Sequence, residues 1–239
     1  MTEKSFTERF QAFDRNYEEI REQIARAAER SGRKAEDITL LAATKTVPVE
    51  VINYAISKGL RHLGENRVQE LLDKYDALDR ARCDLQFIGQ LQTNKVKYLI
   101  GKVSCIQSVG SVKLAKEISR LCAREGLSMN VLVEVNIGRE ENKSGVEPEQ
   151  LVELIDEIRV LPGIHVNGLM AIPPICSDEK NLCRYFAAME QYYVDIRGKS
   201  MDNVDMECLS MGMSSDFPQA IACGATMVRI GSSLFGARA

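Results

Sequence analysis

Tryptophan is absent and histidine is scarce: the 239 residues contain two, His62 and His165. Ser-His-Asp and Cys-His chemistry therefore has little support, and both imidazoles read as structural. No H-E-x-x-H and no clustered carboxylate pair occurs, so no metal is expected. The seven cysteines are odd in number and scattered, with no C-x-x-C spacing, which argues against a disulfide framework or a zinc site and for reduced thiols. No apolar run approaches the ~20 residues of a membrane span. Residues 1–30 are dense in charge and lack the apolar core of a signal peptide, so the expectation is a cytoplasmic protein. With 31 basic and 34 acidic side chains the net charge is −3, which gives no general attraction to nucleic acid or to an anionic membrane. Six prolines and sixteen glycines are spread without a linker-like cluster, and no repeat is visible, so one continuous domain over 1–239 is expected.

What is present is ordinary globular material, 45% hydrophobic and 27% charged. Phe6, Phe10, Phe13, Tyr17, Ile20, Ile24 and Ala27 recur at alternating steps of four and three, so residues 1–32 read as an amphipathic helix closed by Ser31-Gly32 and packed on the body of the protein. Short apolar runs then alternate with amphipathic segments. The runs are Ile38–Thr44, Leu60–Gly64, Leu85–Gly89, Val103–Val109, Asn130–Asn136, Val166–Ala171, Met206–Met211 and Thr226–Gly231. The intervening helices are Glu50–Lys58, Arg67–Arg80, Thr93–Ile100, Val112–Arg124, Pro148–Arg159, Glu179–Arg197 and Asp216–Cys223. Eight βα units in about 250 residues match a (β/α)8 TIM barrel. An open doubly wound sheet is the alternative, but no G-x-G-x-x-G follows the first strand.

In such a barrel, chemistry sits at the C-terminal strand ends. Lys45 follows the first strand directly, as either a carbonyl-binding amine or a solvated lysine. After strand seven comes Ser210-Met211-Gly212-Met213-Ser214-Ser215-Asp216, and strand eight ends Arg229-Ile230-Gly231-Ser232-Ser233. Small residues and hydroxyls in these two loops suit the phosphate site that barrels often build there, or simply make turns. Asp216 with Gln219 fits a capping box, and Pro218 fits a first helical turn. Arg229 shares a face with Gly231 by period-two alternation and so points into the barrel mouth, where a ligand or a carboxylate is its partner. Gly64-Glu65-Asn66 and residues 89–95 are further polar clusters at strand ends, where Glu65 and Lys95 are either site groups or merely solvated and Asn66 and Thr93 either site groups or helix caps; the charged run 139–145 reads as a solvated loop.

In order along the chain stand Thr44-Lys45-Thr46, Gly64-Glu65-Asn66-Arg67-Val68-Gln69-Glu70, residues 87–95 (Phe-Ile-Gly-Gln-Leu-Gln-Thr-Asn-Lys), Asn142-Lys143-Ser144-Gly145, Gly168-Leu169-Met170, residues 209–216 and residues 228–238. In these segments the chain resembles the family of pyridoxal 5′-phosphate (PLP) homeostasis proteins. The resemblance implies a single-domain barrel like the N-terminal domain of bacterial alanine racemase. It implies that Lys45 carries PLP as a Schiff base and that Ser214, Gly231 and Ser232 hold the phosphate. Arg229 would face the pyridine nitrogen, and Asn66 and Met211 would line the ring pocket. No catalytic residue is implied: members look like carriers that keep reactive PLP available, with PLP-dependent apoenzymes as partners, and a monomer is expected. A cation at the pyridine nitrogen disfavours its protonation and weakens the electron sink that carbanion chemistry needs. The chain departs from the family at Val47, where a second lysine is common, and at Gln86, where histidine is common.

Three rivals share some of these residues. A racemase of the alanine racemase type needs a second, C-terminal domain carrying a tyrosine base, and the chain stops at Ala239 just after strand eight, so that domain is expected to be missing. A lyase or isomerase acting on a sugar phosphate would use Lys45 against its substrate without bound PLP. A scaffold role would rest on the N-terminal helix alone.

Overall fold

The computed structural model describes residues 3–176 and 178–236. Ala237 and Arg238, which end the last family-like segment, lie outside the described residues. The apolar runs form eight strands: β1 Thr39–Ala43, β2 His62–Glu65, β3 Asp84–Phe87, β4 Cys105–Val109, β5 Met129–Val135, β6 Ile164–Ala171, β7 Val204–Ser210 and β8 Met227–Ile230. They pair in parallel in sequence order, and β8 returns to β1 with Leu41 opposite Arg229, which closes the barrel. Helices α1 Glu3–Arg30, α2 Val49–Ser57, α3 Val68–Tyr75, α4 Val112–Glu125, α5 Leu151–Arg159, α6 Glu179–Gly198, α7 Phe217–Ala222 and α8 Ser232–Phe235 surround it. The TIM barrel expected from the run count is therefore the observed fold.

Several boundaries differ from the sequence reading, each for a local reason. Thr93–Ile100 is not an α-helix: residues Thr93–Tyr98 form a 3-10 turn. Its buried positions, Val96 and Leu99, are three residues apart, which suits three residues per turn. His165 lies inside β6, where Nδ1 meets Asn203 Oδ1 at 3.0 Å, rather than ahead of it. The capping box expected at Asp216 does not form. Asp216 Oδ1 instead accepts from the Met213 amide at 2.6 Å, and Gln219 turns away to Glu179. Pro218 does sit in the first turn of α7.

The large core lies between barrel and helices, where strand residues such as Leu63, Ile106, Val131 and Leu209 meet the apolar stripes of the helices. Helix α1 joins this layer through Phe13, Ile20 and Ile24, and packs on α2, α7 and α8. Phe13 stacks on Phe235 of α8 at 5.8 Å, and Asn16 Nδ2 donates to Leu234 O at 3.1 Å, so the helix is seated against the chain's last turn. Inside the barrel two small apolar clusters, Leu41 with Ile88 and Met227, and Cys105 with Leu132 and Met170, share the space with buried polar side chains.

Candidate functional site

At the C-terminal mouth of the barrel lies a cavity of about 410 Å³. Six of the seven residues read as a site line it: Lys45, Asn66, Ser214, Arg229, Gly231 and Ser232. Met211 does not. It is fully buried in the outer core, and Met213 lines the cavity instead. Alternation explains the correction: Ser210 points into the barrel, so its neighbour points out toward the helices.

Lys45 is presented by a loop held from beneath. Lys74 Nζ donates to Thr44 O (2.8 Å), Glu65 Oε1 (2.8 Å) and Glu70 Oε1 (2.7 Å). Thr44 Oγ1 donates to the same Glu65 oxygen at 2.8 Å, and Glu70 accepts from the Thr46 amide. The peptide groups on both sides of Lys45 are thus fixed, and Thr46 is held at φ +63°, a left-handed conformation that a β-branched residue rarely adopts. Glu65 is therefore not the solvated carboxylate that its strand-end position allowed. It is 1% exposed, because α3 closes over it and brings Lys74. Burial raises its pKa, opposed by Lys74 and Thr44.

The two small-residue loops, after β7 and after β8 (the neighbour of β1), share the lining with Lys45. The amides of Gly231 and Ser233 both donate to Ser214 Oγ, at 3.4 and 3.3 Å. Two N–H groups converging on one oxygen make an anion-binding concavity, with the hydroxyl as a further donor once an anion takes its place. A side chain at Gly231 would meet Ala43 O at 3.2 Å, so the close approach depends on glycine. Arg9, from the first turns of α1, also lines the cavity.

Arg229 is buried. Nη1 donates to Ser210 Oγ at 2.6 Å and Nη2 to Ala171 O at 2.9 Å. It makes no ion pair among the described residues, so the structural carboxylate partner weighed from sequence is not found there. Burial brings its pKa down to about 10, opposed mainly by Glu134, which leaves it a cation at neutral pH. Asn66 does not cap α3, a place taken by Arg67, and its Oδ1 is buried without a partner. Its backbone is packed against Gly89, where a side chain would lie 2.0 Å from Asn66 O. Arg9 and Met213 were missed in the sequence. Arg9 carried no signal there, because only the seating of α1 on α8 brings it to the mouth. Met213 lies past the end of β7, after Gly212 at φ +92°, where strand alternation no longer applies.

The comparisons with known proteins agree with this geometry. The alanine racemase N-terminal domain family model matches residues 10–239. A pyridoxal phosphate homeostasis protein of Aquifex aeolicus is 47% identical over 92% of this chain and 95% of its own length. The protein of that name from Escherichia coli is 38% identical over 93% and 95%. The solved structure of PipY from Synechococcus elongatus with PLP bound is 31% identical, with a TM-score of 0.78, covering 89% of this chain and all of that one (100%).

Proposed function

The chain belongs to the alanine racemase N-terminal domain family and, within it, to the pyridoxal phosphate homeostasis proteins, and on that premise we propose that it binds PLP through Lys45 and holds it in reserve without turnover. One observation carries the reading: a single cavity brings together an amine, a cradle of convergent amides and a buried guanidinium. The residues fit the group. The unpartnered Asn66 Oδ1 needs a ligand contact, and the Ser214 oxygen already marks where an anion oxygen is received. Ser214, Gly231 and Ser232 would hold the phosphate, Arg229 would face the ring nitrogen, and Asn66 would border the ring. Bound PLP supplies an aldehyde, and the Lys45 amine forms one C=N bond to it while the aldehyde oxygen leaves as water.

The lining also supports storage over catalysis. Among the described residues that line the cavity there is no Tyr, His, Cys or carboxylate to serve as a second base beside Lys45. Arg229, still protonated at neutral pH, can only donate to a ring nitrogen, and its charge disfavours a proton there. We place this carrier in the cytoplasm as a monomer that serves PLP-dependent apoenzymes. No described helix is long and apolar enough to cross a membrane.

The test is the visible spectrum of the protein after incubation with PLP, beside Lys45→Ala. Wild type gains an absorption band that the variant lacks, and borohydride reduction followed by mass spectrometry finds the added pyridoxyl phosphate on Lys45. A wild type that stays colourless defeats the proposal.

A further inference from the structure

The barrel interior holds a run of polar side chains that the cavity does not explain. Arg229 Nη1 donates to Ser210 Oγ at 2.6 Å, and Ser210 donates in turn to Gln107 Oε1 at 2.7 Å. Gln107 Nε2 donates to Gln86 Oε1 at 2.6 Å, and Gln86 Nε2 to Asp84 Oδ2 at 2.6 Å. His62 Nδ1 reaches the same Asp84 oxygen at 3.2 Å. The residues come from β8, β7, β4, β3 and β2, and the run passes from the mouth to Asp84, the first residue of β3, at the opposite end.

Two features set this run apart from chance packing. Ser210 and Gln107 are fully buried and Gln86 nearly so, in a space that apolar side chains would fill at lower desolvation cost. Every donor also points away from Arg229. Each amide therefore turns its oxygen toward the cation and its nitrogen toward the carboxylate. Oriented dipoles between a buried positive charge and a distant negative one reinforce one another in a medium of low dielectric. Glu134 from β5, Asp216 from the loop after β7 and the Cys208 thiol from β7 also act on Arg229 through space, but none of the carboxylates pairs with it.

We propose that Ser210, Gln107, Gln86 and Asp84 form a positioning relay that fixes the orientation of the Arg229 guanidinium against the cofactor ring. The relay rests on the reading of the cavity as a PLP site. It assigns a role to Gln86, one of the two positions at which this chain departs from its family. These are positioning residues, since they act on the cofactor only through Arg229.

The test compares wild type with Asp84→Asn and Gln107→Leu, each titrated with PLP and with pyridoxal, which lacks the phosphate. Both variants should weaken PLP and pyridoxal by the same factor, about threefold to tenfold, the net value of one ordinary hydrogen bond felt through Arg229. Both should also move the absorption maximum of bound PLP, which a purely structural role would leave in place. Gln107→Leu is a buried change; if it fails to fold, Asp84→Asn decides alone, because the Asp84 side chain is 32% exposed. Folded Asp84→Asn with wild-type spectrum and affinities overturns the relay, as does a loss confined to PLP, which would place the effect at the phosphate. A wild type that gains no band with PLP refutes the parent reading instead.

Discussion

Lys74→Met tests whether the Lys45 loop is held by the clamp beneath it. Methionine keeps the length and most of the apolar stem but removes an ammonium with three acceptors at 2.7–2.8 Å. The Lys74 side chain is 12% exposed and that of Glu65 1%, so the pair is largely shielded from water. Removing one partner of a buried pair leaves the other charge uncompensated, at a cost of about 3–5 kcal/mol. The lower figure applies here, because Glu65 already has a raised pKa through burial and can take up a proton once Lys74 no longer opposes it. A loss of about 3 kcal/mol corresponds to a melting temperature lower by about 6–12 °C in a chain of this size. The pH dependence has a defined sign. A carboxyl whose pKa is higher in the folded state than in the unfolded one favours folding when protonated, and that contribution disappears as pH rises through the folded pKa. Lys74→Met should therefore regain stability between about pH 7 and about pH 5, more steeply than wild type. Adding Glu65→Gln should recover most of the loss at neutral pH. PLP loading should also weaken, since the Thr44 carbonyl loses its partner and Thr46 is less firmly held in its left-handed conformation. Urea denaturation of the single and double variants across pH measures the stabilities, a thermal melt the midpoint shift, and absorbance titration the PLP loading. A single-variant loss below about 1 kcal/mol, with no recovery in the double, would refute the clamp.

Arg9→Ala should weaken PLP by about twofold to fivefold and leave pyridoxal unchanged, the value of a partly exposed cation near an anion; absorbance titration separates the two. Gly89→Ala should lower both stability, by about 1–3 kcal/mol, and PLP affinity, because the new Cβ would lie 2.0 Å from Asn66 O and must push the end of β2 aside. Asp84 gives an acid-side test. Burial alone would raise its pKa, but hydrogen bonds from His62, Gln86 and Ser104 outweigh that and bring it below 3.8. Its contribution is present above the unfolded pKa and lost as pH falls through the folded one, so wild type should lose more stability than Asp84→Asn between about pH 6 and about pH 2, as followed by urea midpoints.

The parts of this molecule that the sequence displays are those governed by rules acting within one element. Eight apolar runs alternating with amphipathic segments give the barrel, and period-two alternation back from Gly231 turns Arg229 inward, where the structure has it. The same rule, applied to β7, turns Ser210 inward and Met211 outward, into the core between barrel and helices where the structure has it. What stayed hidden are pairings between elements. Glu65 left a solvated reading open because nothing close to it in sequence neutralises it, and Lys74 reaches it only after α3 folds back over the strand end. Gln86 carries no sign in the sequence of its bond to Gln107, which forms at 2.6 Å when β3 and β4 pair. Lys45 and Arg229 both follow this pattern. The positions of Lys45 and Arg229 can be read from strand ends, but the groups that hold them, Lys74 with Glu70 for one and Ser210 with Gln107 for the other, belong to other segments. A local rule can therefore locate a reactive side chain, while the partners that set its charge and orientation appear only when separate elements meet.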